Sequence, residues 1–277
     1  CKAAEKNKVR IAPTCAETFL AHRYDRRPDQ IARDTQAVVS KFSKLPAFFG
    51  YVLVDEVPAG EIQHIEHIRQ SLEQADPAHP ALVVTMPGDT HAALKKSRLP
   101  ILTVDCYPFF APGDPNGPHT TESSQAYYRY VTGRLNRWAF EGNRAPWIMP
   151  GCFVDTWGPW YYDEKMHVVN ETGAYCHWRQ PTPSEVRWQV WQALVAGMKG
   201  IVFYVNLPTV NDRKPGEPAP PIPEGASLPL LREDTPTHQA NALLYSDGRP
   251  TEQMLELARA YAEIEPWKTT LLRLRRS

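Results

Sequence analysis

Short apolar runs alternate along this chain with longer segments of helical periodicity. Six of the runs are predicted to be strands, and they cover residues 9–14, 49–56, 81–86, 101–107, 147–153 and 201–206. Their nearly continuous hydrophobicity is typical of parallel strands that are buried on both faces. Because neighbouring parallel strands are joined by a crossover helix, the alternation predicts an α/β fold with a parallel sheet.

The spacing of the strands favours a TIM-type (β/α)8 barrel. The mean distance between strand starts is about 38 residues, somewhat above the roughly 31 residues per βα unit of such a barrel. A doubly wound sheet is the alternative, but no G-x-G-x-x-G or phosphate-binding loop follows any of the strands. About six βα units are visible in the 277 residues, which is too few for a closed eight-stranded barrel.

The segments between the strands carry helix signals. Two apolar stripes at helical spacing consist of Ile31, Val38, Val39 and Phe42, entered through Pro28, and of Ile62, Ile65, Ile68 and Leu72. Further helices are predicted from near Thr121, after a capping box at residues 182–185, and over residues 252–264.

Composition excludes several classes of protein. The 31 basic residues balance 31 acidic ones, so there is no basic excess to bind nucleic acid or an anionic membrane. No apolar run approaches the ~20 residues of a membrane span, and the five cysteines include no C-x-x-C pair. We expect no cofactor and no metal. The chain starts at Cys1 without an initiator Met or a secretory h-region, so we expect its natural beginning to lie upstream.

Polar residues cluster where the predicted strands end. In a parallel barrel these ends meet on one face, which carries the active site. Asp55 and Glu56 lie at the end of an apolar strand. Burying charged side chains costs free energy, so their presence at this position indicates a function. We predict Glu56 as a general acid and Asp55 as a residue that orients it or binds substrate. The alternative is an ion pair at the barrel rim.

Cleavage of a glycosidic bond needs a second carboxylate opposite the acid. Asp155, two residues beyond the fifth run, is the first candidate, and Asp105 at the end of the fourth run is the next. For each of them the alternative is a loop carboxylate that caps a helix or binds solvent.

The segment from Asp155 to Trp178 is rich in aromatic residues. Flat rings of this kind stack on the apolar faces of sugars, and a small core under a long loop is the alternative. The predicted substrate-binding residues are therefore Trp157, Trp160 and Trp178, together with Tyr107 and Asn206 at strand ends, and Arg179, which could equally anchor a salt bridge.

Four segments together resemble one family of enzymes. They are GYVLVDEV, ILTVDCYPF, PTPSEVRWQVWQALVAGMKGIVFYVN and the tail YSDGRPTEQMLELARAYAEIEPW. The pattern resembles clan A-type glycoside hydrolases with a (β/α)8 barrel and covers most of residues 8–268. The resemblance implies that residues 1–277 are one catalytic barrel domain, incomplete at its N-terminus, in which residues 9–14 form the third strand.

The resemblance also assigns roles at the strand ends. It places the acid/base at Glu56, preceded by Asp55 where many members of the clan have Asn. The clan's nucleophile is a Glu at the end of the seventh strand, where this chain has Gly151-Cys152-Phe153. Either Asp155 substitutes for it, or the reaction is inverting, or catalysis is lost.

The sequence therefore predicts a glycoside hydrolase that acts on a poly- or oligosaccharide, with carbohydrate and no nucleic acid as its partner. A non-catalytic carbohydrate-binding barrel is one alternative. Another is a metal-dependent barrel hydrolase in which Asp55, Glu56 and Asp105 bind a hard cation. A secreted or periplasmic location is favoured, and the oligomeric state is open.

Overall fold

The computed structural model describes residues 2–6, 9–12, 28–57, 59–88, 97–112, 114–162, 164, 168–204, 242–245 and 248–274. The helices of this part of the chain are α1 (Lys2–Lys6), α2 (Pro28–Phe42), α3 (Ile62–Ala75), α4 (Thr121–Glu141), α5 (Pro183–Val195), α6 (Glu252–Ile264) and α7 (Lys268–Arg273). The strands are β1 (Tyr51–Val54), β2 (Ala81–Thr85), β3 (Ile101–Cys106), β4 (Ala145–Pro150), β5 (Asp155–Trp157), β6 (Trp160–Tyr162), β7 (Val168–Asn170), β8 (Tyr175–Trp178) and β9 (Gly200–Ile201).

The main sheet has five strands in the order β1-β2-β3-β4-β9, which is also their order along the chain. β1 pairs with β2 and β2 with β3, both in parallel. Isolated parallel bridges join Ile11 to Phe48 and Gly151 to Tyr204. The predicted α/β class with a parallel sheet is thus confirmed. Residues 13–14 and 205–206 of the predicted strands lie outside the described residues.

The chain divides into two compact units, the first formed by Cys1–Asp105 and Arg134–Trp147, the second by Cys106–Gly133 and Ile148–Ser277. In the first unit, α2 packs against α3, and the apolar stripes of both helices are buried except for the half-buried Phe42. Every residue of β2 is buried, as expected for a strand covered on both faces. That a single barrel domain spans residues 1–277 stays a prediction.

In the second unit, α5 packs against α6. The α5 helix begins at the predicted capping box: the Thr182 hydroxyl accepts the Glu185 N–H, and the Glu185 carboxylate accepts the Thr182 N–H. Val186 and Val190 of α5 form a buried cluster with Cys152 and with Leu257 of α6. No helix among the described residues is long and apolar enough to span a membrane.

The aromatic segment of the second unit is ordered into two antiparallel pairs, β5 with β8 and β6 with β7. This differs from the expected loop, because strand pairing satisfies the backbone groups that a long loop would leave to solvent. Gly158 is required between β5 and β6: its φ is +106°, and a Cβ there would lie 2.8 Å from the Ala174 Cα.

Candidate functional site

Three carboxyl groups of the first unit form a cluster at the carboxyl end of the sheet. We call Asp55, Glu56 and Asp105 the carboxyl cluster. Asp55 and Glu56 directly follow β1, and Asp105 is the penultimate residue of β3. β2 lies between these strands, so the hydrogen bond between the Glu56 and Asp105 side chains crosses the end of β2. The two carboxyl groups that the sequence placed on one face are thus brought into contact.

The backbone at Glu56 has an unusual conformation. Its φ of 53° lies in the left-handed region, which residues other than glycine enter at a cost of about 1–3 kcal/mol. The next residue returns to the sheet, since the Val57 N–H donates to the Val84 carbonyl at 3.2 Å. The hydrogen bond from Val57 to Val84 therefore connects the turn at Glu56 to strand β2.

Burial and like charge shift the acidity of this cluster. Desolvation, followed by the charges of Glu56 and Asp55, raises the pKa of Asp105 to about 8. Desolvation and the charge of Asp55 also raise the pKa of Glu56, although its hydrogen bond with Asp105 acts in the opposite direction. Both groups thus hold protons at a higher pH than ordinary carboxyls do.

Asp105 is only 5% exposed, and its Oδ1 atom has no hydrogen-bond partner within the described part of the chain. The neighbouring hydroxyl of Thr85 donates elsewhere, to the Thr103 carbonyl at 3.1 Å. A buried carboxylate with an unpaired oxygen is disfavoured, whereas a neutral carboxyl group is tolerated. The hydrogen bond from the backbone N–H of Asp105 lowers its pKa but is the smallest of the contributions. The surroundings of Asp105 therefore favour its protonated form.

The carboxyl cluster gives no support to a metal centre. Among the residues that the structure describes, no group of three or more His, Cys, Asp or Glu side chains could hold a metal ion.

A second group of interest lies in the second unit. We call Asp114, Asp155, Trp157, His177 and Trp178 the aromatic cluster. Nδ1 of the buried His177 is hydrogen-bonded to Oδ2 of the buried Asp114. The Trp157 ring stacks on the His177 ring with centroids 3.8 Å apart, and its Nε1 donates to Asp155 Oδ2 at 3.2 Å. One hydrogen bond and one stacked ring thus orient Trp157, although this residue is 45% exposed.

Trp178 and Tyr107 line a small pocket in the same unit. Their rings meet edge to face with centroids 5.0 Å apart. The other lining residues are Pro108, Phe109, Gly151, Phe153, Arg179 and Pro181. Nε1 of Trp178 is buried and has no hydrogen-bond partner among the described residues.

Arg179 also lies at this pocket, but its guanidinium is engaged. It donates to both carboxylate oxygens of Glu185, at 2.7 and 2.8 Å, and lies 4.9 Å from the centroid of the Phe109 ring. These contacts are those of a salt-bridge anchor, the alternative given for Arg179. That Arg179 also contacts substrate stays a prediction.

The remaining predicted residues are placed as follows. Asp155 is 3% exposed and accepts the Trp157 N–H, while Asp55 is exposed. Trp160 lies on β6 opposite Asn170, its side chain is not described, and Asn206 lies outside the described residues. Sequence reasoning missed Asp114, an isolated acid in a loop, and did not single out His177 within the aromatic segment.

Comparisons with known proteins give the fold a context. No family model and no curated protein matches the chain. Among solved structures, a Faecalibacterium prausnitzii β-glucuronidase is similar at a TM-score of 0.51 and 12% identity, covering 86% of this chain and 35% of its own. A GH2 β-galacturonidase from Eisenbergiella tayi is similar at 0.50 and 11% identity, with 85% and 37% covered.

The chain therefore spans about a third of the length of these two structures. At such low identity the likeness concerns the fold alone. It is the fold of TIM-barrel glycoside hydrolases, which confirms the predicted barrel-type architecture and the predicted resemblance.

Proposed function

We propose that this protein is a glycosidase in which Glu56 is the general acid/base, acting on a poly- or oligosaccharide. The observation that carries the proposal is the environment of Glu56. It follows a strand at the carboxyl end of the sheet, its backbone is left-handed, and its pKa is raised. Clusters of strain and shifted pKa values are typical of catalytic sites.

A raised pKa suits the first step of glycoside hydrolysis. A general acid must still hold its proton near neutral pH in order to protonate the glycosidic oxygen as the bond to the anomeric carbon breaks. If the reaction is retaining, the resulting Glu56 carboxylate then takes a proton from the water whose oxygen bonds to the anomeric carbon, so the residue returns to its starting state. Desolvation and, after it, the negative charge of the adjacent, exposed Asp55 raise the pKa of Glu56.

The aromatic cluster supports a carbohydrate ligand. The exposed Trp157 ring offers an apolar face to a ligand. A pyranose ring fits such a face, since one of its own faces is apolar. That Asp155 supplies the second carboxylate stays a prediction.

The direct test compares Glu56→Gln with the matched control Glu141→Gln, which alters an exposed carboxylate at the end of α4. The panel consists of aryl glycosides and includes a glucuronide and a galacturonide. We expect Glu56→Gln to lower kcat/KM by about 100-fold or more, as loss of a general acid does. The control should stay within about twofold of wild type. Undiminished turnover by Glu56→Gln would remove Glu56 from the mechanism.

A non-catalytic carbohydrate-binding protein is the second candidate, favoured by the anchored, exposed ring of Trp157. In that case oligosaccharides would bind to wild type and not to Trp157→Ala, and no glycoside would be hydrolysed at any pH.

A further inference from the structure

The contact between Asp105 and Glu56 excludes one role for Asp105. Their side chains are joined by a hydrogen bond, so the carboxyl groups are closer than the about 5–5.5 Å of retaining or 6.5–9.5 Å of inverting carboxylate pairs. No sugar fits between them. Asp105 therefore does not act on the anomeric carbon opposite Glu56, and its role in the cluster must be a different one.

The hydrogen bond needs a proton on one of the two groups. Asp105 is the buried member, at 5% exposure, whereas Glu56 is exposed. The charged groups that act on Asp105 are the carboxyl groups of Glu56 and Asp55, both negative when ionised. In addition, Oδ1 of Asp105 has no donor among the described residues. Each of these observations disfavours an ionised Asp105, and together they outweigh the hydrogen bond from its own backbone N–H, which acts in the opposite direction.

We propose that Asp105 is a positioning residue that keeps its proton at neutral pH and donates a hydrogen bond to the Glu56 carboxyl group, both before and after Glu56 gives up its own proton. Its place in a reaction depends on the proposed glycosidase function, whereas its protonation does not. When Glu56 gives its proton to the leaving oxygen, the negative charge forms on Glu56 beside the Asp105 hydroxyl. That hydroxyl stabilises the charge without transferring its own proton, so Asp105 leaves the cycle unchanged.

The raised pKa of Asp105 supports this assignment and defines the pH range that an experiment must cover. Below the pKa, Asp105 donates to Glu56. Above it, the neighbouring groups are both anionic and the donor is lost, so Glu56 is no longer oriented. An Asn at position 105 keeps an N–H donor and cannot ionise, whereas a Leu keeps the volume and has no donor.

The test is a carboxyl titration of the full chain labelled with ¹³C at the Asp and Glu side-chain carboxyls, followed by NMR from pH 4 to 10. We expect one carboxyl resonance to titrate near pH 8 in wild type and in Glu141→Gln. The same resonance should be missing in Asp105→Asn. The proposal is overturned if every carboxyl is ionised by pH 6, and equally if the late titration persists in Asp105→Asn. Because the wild-type curve alone can overturn it, a variant that fails to fold does not prevent a decision.

Activity gives the second readout. For a glycoside that wild type hydrolyses, the part of the alkaline loss of kcat/KM that follows the ionisation of Asp105 near pH 8 should disappear in Asp105→Asn, while the part that follows the ionisation of Glu56 remains. Asp105→Leu should lower kcat about tenfold at every pH with KM nearly unchanged. Equal pH profiles for wild type and Asp105→Asn would overturn the positioning role. Absence of any hydrolysis would refute the proposed function and leave the titration result for Asp105 standing.

Discussion

The carboxyl cluster and the aromatic cluster differ in whether their polar side chains have favourable partners. In the carboxyl cluster, like charges adjoin, a buried oxygen lacks a partner and a non-glycine residue has a left-handed backbone. In the aromatic cluster, His177 is paired with Asp114, and Trp157 with Asp155. Features that lower stability without local compensation are typical of a reactive site. Paired polar side chains, by contrast, stabilise the conformation of a binding surface.

The largest effect expected from this difference concerns Asp105→Asn. Asp105 has a pKa of about 8 in the folded state and about 3.9 when unfolded. At pH values between these two pKa values, Asp105 is protonated in the folded state and ionised in the unfolded state. The contribution of Asp105 to the free energy of unfolding therefore falls as pH rises. Asp105→Asn should remove this dependence and stabilise the protein at pH 8 by on the order of a few kcal/mol. Urea unfolding of wild type and Asp105→Asn at pH 5 and pH 8 measures this difference. If the free energy of unfolding changed equally with pH in the two proteins, the raised pKa of Asp105 would be contradicted.

The opposite sign is expected for the aromatic cluster. Asp114→Ala leaves the buried His177 Nδ1 without a partner and should destabilise the protein by about 1–3 kcal/mol. Asp114→Asn, which keeps a side-chain oxygen, is the matched control and should lose less. The same urea titration reads both variants. A neutral effect of Asp114→Ala would show that the pair is not what holds His177.

A smaller loss should follow Arg179→Met. The substitution breaks the two hydrogen bonds to Glu185 and removes the cation from the Phe109 ring, while the apolar stem remains. Because the pair is partly exposed, we expect a loss of about 1 kcal/mol. If sugar affinity fell tenfold with stability unchanged, Arg179 would be a substrate contact after all.

The last expectation concerns ligand binding rather than stability, because the Trp157 ring is 45% exposed. Trp157→Ala should weaken oligosaccharide binding, followed by calorimetry, at least about tenfold. Trp138→Ala, in α4, is the control and should leave binding unchanged. Unaltered binding by Trp157→Ala would remove the stacking role.

Local rules were sufficient for much of the fold. Pro28 begins α2, the Thr182 capping box begins α5, and continuous apolar runs form the parallel strands. The same rules placed Glu56 and Asp105 at one end of the sheet, because parallel strands share their direction.

Other features depend on contacts that no local pattern contains. Asp114 and His177 are 63 residues apart. The antiparallel pairs of the aromatic segment depend on register, and the hydrogen bond between Glu56 and Asp105 depends on a left-handed turn.

The central claim, general acid catalysis by Glu56, is tested most directly by leaving-group dependence. A leaving group of high pKa needs protonation, whereas a strongly activated aryl leaving group does not. For Glu56→Gln we expect kcat/KM to fall at least about tenfold more on the poorly activated glycoside than on the activated one. An equal fall on both substrates, or no fall on either, would contradict the claim.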